Sequence, residues 1–204
     1  MSTIVVVKKG DRAAIAADTL STVGRLRTDS KYILNSGKIL RFADSHIGII
    51  GPSAHAHVFS SILRKYPKKL RFNSVTDIFE TYLRLHPILK EEFYLKTDET
   101  EDDEYESSQI EAVIANPHGI FGMFSWRDVD EYTRFWAIGS GQEYALGAMH
   151  AVYERLDDPE EIAGIGVAAG CEFDDGSGLP FTSYSVRLRN RRGAGRKSPS
   201  TSAA

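Results

Sequence analysis

Residues 2–18 read Ser-Thr-Ile-Val-Val-Val-Lys-Lys-Gly-Asp-Arg-Ala-Ala-Ile-Ala-Ala-Asp. Two apolar runs, Thr3 to Lys8 and Arg12 to Ala17, flank Gly10-Asp11, a dipeptide suited to the tight turn between antiparallel strands. This β-hairpin places two chemically interesting residues together. Ser2 stands at the open end of the first strand, and Asp18 closes the second, sixteen positions later. The second strand of a hairpin returns beside the start of the first, so Asp18 is expected close to Ser2. Loss of Met1 would leave Ser2 with an α-amine and a hydroxyl on one residue. An amine with a pKa of about 8 is partly unprotonated at neutral pH and can serve as base for its own hydroxyl.

Working outward, Lys38 to Phe42 and His46 to Ile50 form a second strand pair around Ala43-Asp44-Ser45. Helical spacing follows. Val58, Phe59, Ile62, Leu63 and Tyr66 share one face, and Val75, Ile78, Phe79, Tyr82 and Leu83 share another, with Pro87 expected to end or bend the second helix. From Thr97 to Ser108 the chain is acidic and polar, as expected of a solvated loop or, in a hollow ring, a chamber lining. Strands return at Ile110 to Ala115, Ile120 to Phe124 and Arg134 to Ile138. Tyr144, Ala145, Ala148, Met149, Val152, Tyr153 and Leu156 then mark a helix, Asp158-Pro159-Glu160 opens another, and Phe181 to Leu188 is a closing strand.

Helices in consecutive pairs argue against a doubly wound parallel sheet. An α+β fold with two mostly antiparallel sheets between helix pairs, a four-layer αββα sandwich, accounts for the order. A single domain is expected over 2–188, with 189–204 a basic tail expected to be disordered. The chain has 204 residues, 42% hydrophobic and 26% charged, enough for one real core. A net charge of −3 argues neither for nucleic acid nor for a membrane surface, and the basic tail lacks the interleaved aromatics of a nucleic-acid surface, so nucleic acid is not an expected partner. One cysteine, Cys171, excludes an internal disulfide and reads as a packed small residue. No apolar run reaches the ~20 residues of a membrane span, and the start lacks a signal-peptide pattern, so a cytoplasmic chain is expected.

Several residues outside the hairpin carry potential chemistry. Lys38 heads a strand, ordinarily a solvated position. Set between Asp18 and Ser2, its ammonium would favour the unprotonated amine and stabilise a developing alkoxide. Gly139-Ser140-Gly141 precedes a helix, and Asp174-Asp175-Gly176-Ser177-Gly178 precedes the last strand. The first lacks the Gly-Lys-Ser/Thr of a phosphate loop, and the second lacks the alternating carboxylates of a calcium loop. His55 and His57 stand two apart, off any common helical face, so no metal pair is expected. No metal or cofactor is called for.

Together these segments resemble the N-terminal-nucleophile (Ntn) hydrolases of the proteasome β-subunit and HslV type. The resemblance is carried by Ser2-Thr3-Ile4-Val5-Val6-Val7, Ala16-Ala17-Asp18-Thr19-Leu20-Ser21-Thr22-Val23-Gly24, Lys38-Ile39-Leu40-Arg41-Phe42, Gly51-Pro52-Ser53-Ala54, Ile138-Gly139-Ser140-Gly141 and Asp174 with Ser177-Gly178. These motifs stand in the family's order between Ser2 and Leu188. Arg84 to Lys90 and Tyr132 to Trp136 are most similar to the bacterial proteasome homologue known from Betaproteobacteria.

The resemblance implies a self-compartmentalising endopeptidase that degrades proteins or peptides through an acyl-enzyme. It makes Ser2 the nucleophile and its own amine the base, with Lys38 and Asp18 as the charge pair. Ser140, Asp174 and Ser177 would orient the amine, and the Gly51 N–H would stabilise the oxyanion. Ser21, Thr22, Ile49 and Ser53 would flank the substrate pocket. The family's usual nucleophile is threonine, and serine here lacks the methyl group that restricts χ1. Thr3 as nucleophile would stand one residue short of the family spacing to Asp18, which favours Ser2. The implied partners are further copies of the chain, in two stacked rings of six or seven with seven favoured, peptide or unfolded-protein substrates, and an unfoldase the sequence does not name. The helix face carrying Tyr144, Met149 and Tyr153 is the expected ring contact. A catalytically silent ring scaffold of the same fold and a small-molecule amidohydrolase are the alternative functions.

Overall fold

Tight turns and short ladders build most of the molecule, which is described by a computed structural model over residues 1–98, 106–108 and 110–189. Strands β1 (Ile4–Lys9) and β2 (Arg12–Asp18) pair with Lys9 opposite Arg12, leaving Gly10-Asp11 as the loop, with Gly10 at φ +57°. A short hairpin of β3 (Ser21–Val23) and β4 (Leu26–Thr28) follows. Next, β5 (Ile39–Phe42) and β6 (Ser45–Ile49) turn through Ala43-Asp44. Helices α1 (Ser53–Lys65) and α2 (Val75–Glu92) come next. A two-residue ladder of β7 (Thr97–Asp98) with β8 (Ser107–Ser108) leads to β9 (Ala112–Asn116), β10 (Gly119–Met123), β11 (Val129–Tyr132) and β12 (Phe135–Ile138). Helices α3 (Gln142–Val152) and α4 (Pro159–Phe173) precede β13 (Phe181–Arg187).

Two sheets result, with strand orders β12-β1-β2-β13 and β11-β10-β9-β6-β5. Every ladder among the described residues is antiparallel. Alternation along each strand sorts side chains to opposite faces. Ile4, Val6, Ala13, Ile15 and Ala17 point from the first sheet toward Val113, Ala115 and Ile120 of the second. The intervening Val5, Val7, Ala14 and Ala16 face Ala145 and Met149 of α3 and Ile162, Ala163 and Val167 of α4. On the far side, Ile47, Ile114 and Phe121 meet Phe59 and Ile62 of α1 and Ile78, Tyr82, Leu85 and Leu89 of α2. The architecture is the expected α+β, four-layer αββα sandwich. No helix among the described residues is long and apolar enough to cross a membrane.

Four details depart from the sequence reading. Helix α2 runs through Pro87 to Glu92, because Leu85 and Leu89, both fully buried, anchor it on either side of the exposed proline. Its buried stripe is Ile78, Tyr82, Leu85 and Leu89, while Val75 and Phe79 stay exposed. The apolar face of α3 is also differently assigned. Met149 is fully buried and Tyr153 nearly so, both in the core against the first sheet, and only Tyr144 is exposed. Strands β3, β4 and β11, short and partly polar, carry too little alternation to be legible. Of the acidic stretch, 99–105 lies outside the described residues, and so does the basic tail from residue 190.

Ile15 lies between the sheets with no exposed surface. Ile15→Ala is expected to cost about 2–5 kcal/mol, the range for emptying such a site. Denaturant unfolding would show a lowered midpoint with an unchanged m-value.

Candidate active site

Asp18 ends β2 and is fully buried, so its carboxylate must find every partner inside the protein. Oδ1 accepts from the Thr3 N–H at 3.0 Å and from the Lys38 ammonium at 2.7 Å. Oδ2 accepts from the Leu20 and Gly178 N–H groups, each at 3.1 Å. The hairpin return is visible in the backbone as well, where the Asp18 N–H donates to the Thr3 carbonyl at 3.1 Å. Lys38, one residue ahead of β5, keeps its side chain 14% exposed and so faces the cavity with its charge already matched.

A second network gathers at residue 2. The Ser2 N–H donates to Ser140 Oγ at 3.1 Å, and Ser140 Oγ donates to Asp174 Oδ2 at 2.7 Å. Ser177 Oγ donates to the same carboxylate oxygen at 2.6 Å. With that proton committed, the 2.7 Å contact between Ser177 Oγ and Thr3 Oγ1 has Thr3 as donor. Each hydroxyl thus points its proton toward Asp174, which leaves the Ser140 lone pair aimed at the Ser2 nitrogen. The Ser2 hydroxyl donates to the Met1 carbonyl at 2.5 Å. Asp174 caps the end of α4, its N–H on the Gly170 carbonyl at 2.9 Å, and this fixes the carboxylate relative to the helix.

Close backbone approach makes this possible. Gly139 sits at φ +98°, and a Cβ there would fall 2.1 Å from the Ser2 carbonyl oxygen. Side chains at Gly141 or Gly170 would fall 2.0 and 2.3 Å from Thr3 Oγ1. Thr3 is fully buried with its hydroxyl engaged, whereas Ser2 borders an open cavity of about 820 Å³.

That cavity is also lined by Ser21, Thr22, Lys38, Ile49 and Gly51. Ser53 opens α1 between Pro52 and Ala54, which line the cavity, but its side chain lies outside the described residues. Gly51 has φ +113°, and a Cβ there would meet His55 Nδ1 at 2.8 Å. Burial lowers the His55 pKa, so the ring against this glycine is neutral at pH 7. His57, assigned no role from the sequence, lines the cavity too. Sequence reasoning also missed the N–H groups of Thr3, Leu20 and Gly178, since backbone donors carry no residue-type signal. Cys171 is half-buried, and burial pushes its thiol up to about 11, far from a reactive thiolate.

Known structures share this arrangement of elements. BPH, the bacterial proteasome homologue, of Thiobacillus denitrificans is 40% identical with a TM-score of 0.86, covering 92% of this chain and 99% of that one. The same protein in complex with epoxomicin gives 39% and 0.85 over the same shares. HslV from Trypanosoma brucei, 19% identical with a TM-score of 0.64 over 91% of this chain and 99% of that one, has the same fold. No protein-family model and no curated protein matches the chain.

The partner set of Asp18 orders two variants. Asp18→Ala strands three buried N–H groups and the Lys38 ammonium, and is expected to cost about 3–5 kcal/mol or more. Lys38→Ala should cost less, because the three N–H groups still hold the carboxylate. Urea unfolding of both checks this. Equal midpoints would mean that the ammonium, and not the backbone cradle, holds Asp18.

Proposed function

The chain belongs to the bacterial proteasome homologue family, and we propose that it is an endopeptidase whose nucleophile is Ser2. One observation carries this. The nitrogen of residue 2 is held by a one-way hydroxyl network ending on Asp174, beside a fully buried Asp18 paired with Lys38.

Cleavage of the Met1–Ser2 bond turns the Ser2 nitrogen into a primary amine without moving its contact to Ser140. The amine takes the proton from Ser2 Oγ as Oγ attacks the carbonyl carbon of the scissile peptide bond. Negative charge develops on the substrate oxygen, where the Gly51 N–H donates, and on Oγ, which the Lys38 ammonium stabilises. The tetrahedral intermediate collapses with the proton passing from the Ser2 α-ammonium to the leaving amine, so that Ser2 is left as an acyl ester and its own amine is free again. Water, deprotonated by the same amine, attacks the ester carbonyl, and the α-ammonium returns that proton to Oγ as the acid leaves. Ser140, Asp174 and Ser177 keep the amine lone pair on Oγ through both halves. Ser21, Thr22, Ile49 and Ser53 border the substrate. The relative's complex with epoxomicin suggests the same ligand for the Ser2 cavity here.

A terminal nucleophile open to bulk solvent would attack folded neighbours, so enclosure within two stacked homo-oligomeric rings, seven-fold by preference, completes the proposal. Closed rings need heterologous contacts around each ring. With Met149 and Tyr153 in the core, Tyr144 and Phe173, both exposed with ring centroids 5.5 Å apart, are the apolar pair on that side left for a contact.

Ser2→Ala should abolish cleavage of short fluorogenic peptides while assembly persists, and Ser2→Thr should keep or raise it, the added methyl narrowing χ1. Wild-type turnover in Ser2→Ala removes Ser2 from the mechanism. Sizing with light scattering should find a particle many times the mass of one chain. An active monomer would instead favour the small-molecule amidohydrolase.

A further inference from the structure

The loop 174–178 serves both networks of the site. Asp174 and Ser177 end the hydroxyl network at Ser2, and the Gly178 N–H holds Asp18. Its other side is held from the β3–β4 hairpin. Arg27, in β4, donates from Nη1 to the Asp175 carbonyl at 3.0 Å and from Nη2 to the Ser177 carbonyl at 3.2 Å. Across the hairpin ladder Arg27 pairs with Thr22, which lines the Ser2 cavity. The hairpin joins neither main sheet. Besides the short link from β2, where the Thr19 N–H donates to the Gly178 carbonyl at 3.4 Å, the Arg27 contacts tie the hairpin to the loop.

We infer that Arg27 is a positioning residue for acylation of Ser2, tying the cavity wall to the loop that orients the nucleophile. The inference rests on Ser2 being the nucleophile. Two carbonyls two residues apart present two acceptors, and a planar guanidinium can serve both from fixed geometry. Holding them fixes the peptide units around Gly176, and with them the direction in which Asp174 and Ser177 face Ser140. A loop that turns by a fraction of an ångström would misplace the Ser2 nitrogen relative to Oγ, and such errors act on the chemical step. A lysine at the same place supplies charge but only one compact donor group. Arg27 also borders a recess of about 380 Å³ with Asp29, Cys171 and Glu172, and Leu20 lines both this recess and the Ser2 cavity. Arg27 itself does not line the Ser2 cavity, so its substitution removes no side chain from that wall.

The test uses the full chain, assembled, with Arg27→Met, Arg27→Lys and Ser2→Ala compared on one fluorogenic peptide. Arg27→Met should lower kcat about tenfold or more while KM stays within about twofold, the pattern of a contact that matters in the transition state and not in substrate binding. Arg27→Lys should recover less than half of that loss. Particle size and thermal midpoint should match wild type in both. Wild-type kcat in Arg27→Met, or full recovery in Arg27→Lys, overturns the inference. So does a loss confined to KM, or one that appears only with disassembly in both variants. If those results come with an inactive Ser2→Ala, only the role of Arg27 falls. An active Ser2→Ala brings down the Ser2 mechanism and this inference with it.

Discussion

A fully buried carboxylate needs its whole complement of donors from the protein, and Asp18 draws its donors from four places in the chain. The Thr3 N–H comes from the first strand, the Leu20 N–H from the turn after the second, the Lys38 ammonium from the lead into β5, and the Gly178 N–H from the loop before β13. Leaving any of them unmade would cost more than the bond itself contributes, because the carboxylate has no water to turn to. One residue therefore sets the mutual position of the first hairpin, the lysine strand and the late loop. Of the residues in the proposed chemistry, Ser2, Lys38, Asp174 and Ser177 stand on those three pieces, while Ser140 and Gly51 stand in the turns before α3 and α1. The electrostatics follow from the same arrangement. The carboxylate is shared among three N–H dipoles and the lysine, and in the proposed chemistry the ammonium acts on charge that develops toward the cavity.

Small residues do the complementary work. Helix α4 comes close enough to Thr3 that Gly170 cannot carry a side chain, and the turn before α3 passes the Ser2 carbonyl at a distance only Gly139 permits. Ala14 and Ala16 on the helix-facing side of β2 let α4 settle onto the sheet. This closeness gives the Ser140 and Asp174 side chains their reach. Both are short: Ser140 Oγ reaches the Ser2 nitrogen and Asp174 reaches the Ser140 and Ser177 hydroxyls only because the backbones lie this close. Packing and site geometry are thus one constraint. An added methyl at Gly170 would push against the fully buried Thr3, and the displacement would pass to both neighbours, Ser2 and the Ser177 hydroxyl.

Strand alternation made the sandwich legible, because Ile4, Val6 and Ile15 are sorted from Val5, Val7 and Ala16 by period alone. The return of Asp18 to the chain start was readable from the hairpin turn. The contributions of Lys38, Ser140, Asp174 and Ser177 were not readable from spacing, since each comes from a distant segment. Lys38 was a candidate from its place at the head of a strand, the roles of Ser140, Asp174 and Ser177 came only through resemblance, and the structure brings all four together. What stayed hidden has a common cause. The β3–β4 hairpin, the backbone donors to Asp18 and the burial of Met149 and Tyr153 depend on tertiary neighbours, and no local pattern announces those. Pro87 does not end α2, for the same reason. Burial of Leu85 and Leu89 outweighs a missing backbone bond, and a sequence shows the missing bond but not the burial.

The proposed chemistry puts the whole burden of activation on one peptide bond. With Met1 attached, the residue 2 nitrogen is an amide, which has no basic lone pair, and the Ser2 hydroxyl gives its proton to the Met1 carbonyl at 2.5 Å. Both nucleophile and base are occupied, while Asp18, Lys38, Ser140, Asp174 and Ser177 already stand in place. Breaking that bond removes the carbonyl acceptor and creates the amine in a single event. The Ser2 hydroxyl then has its own amine within reach as acceptor, and Ser140 still directs that nitrogen from behind. Serine makes this arrangement looser than threonine would, because nothing on Cβ favours the rotamer that faces the amine. The orientation of the base must then do more of the work, and in this protein that orientation depends on a three-hydroxyl network aligned on a single carboxylate oxygen.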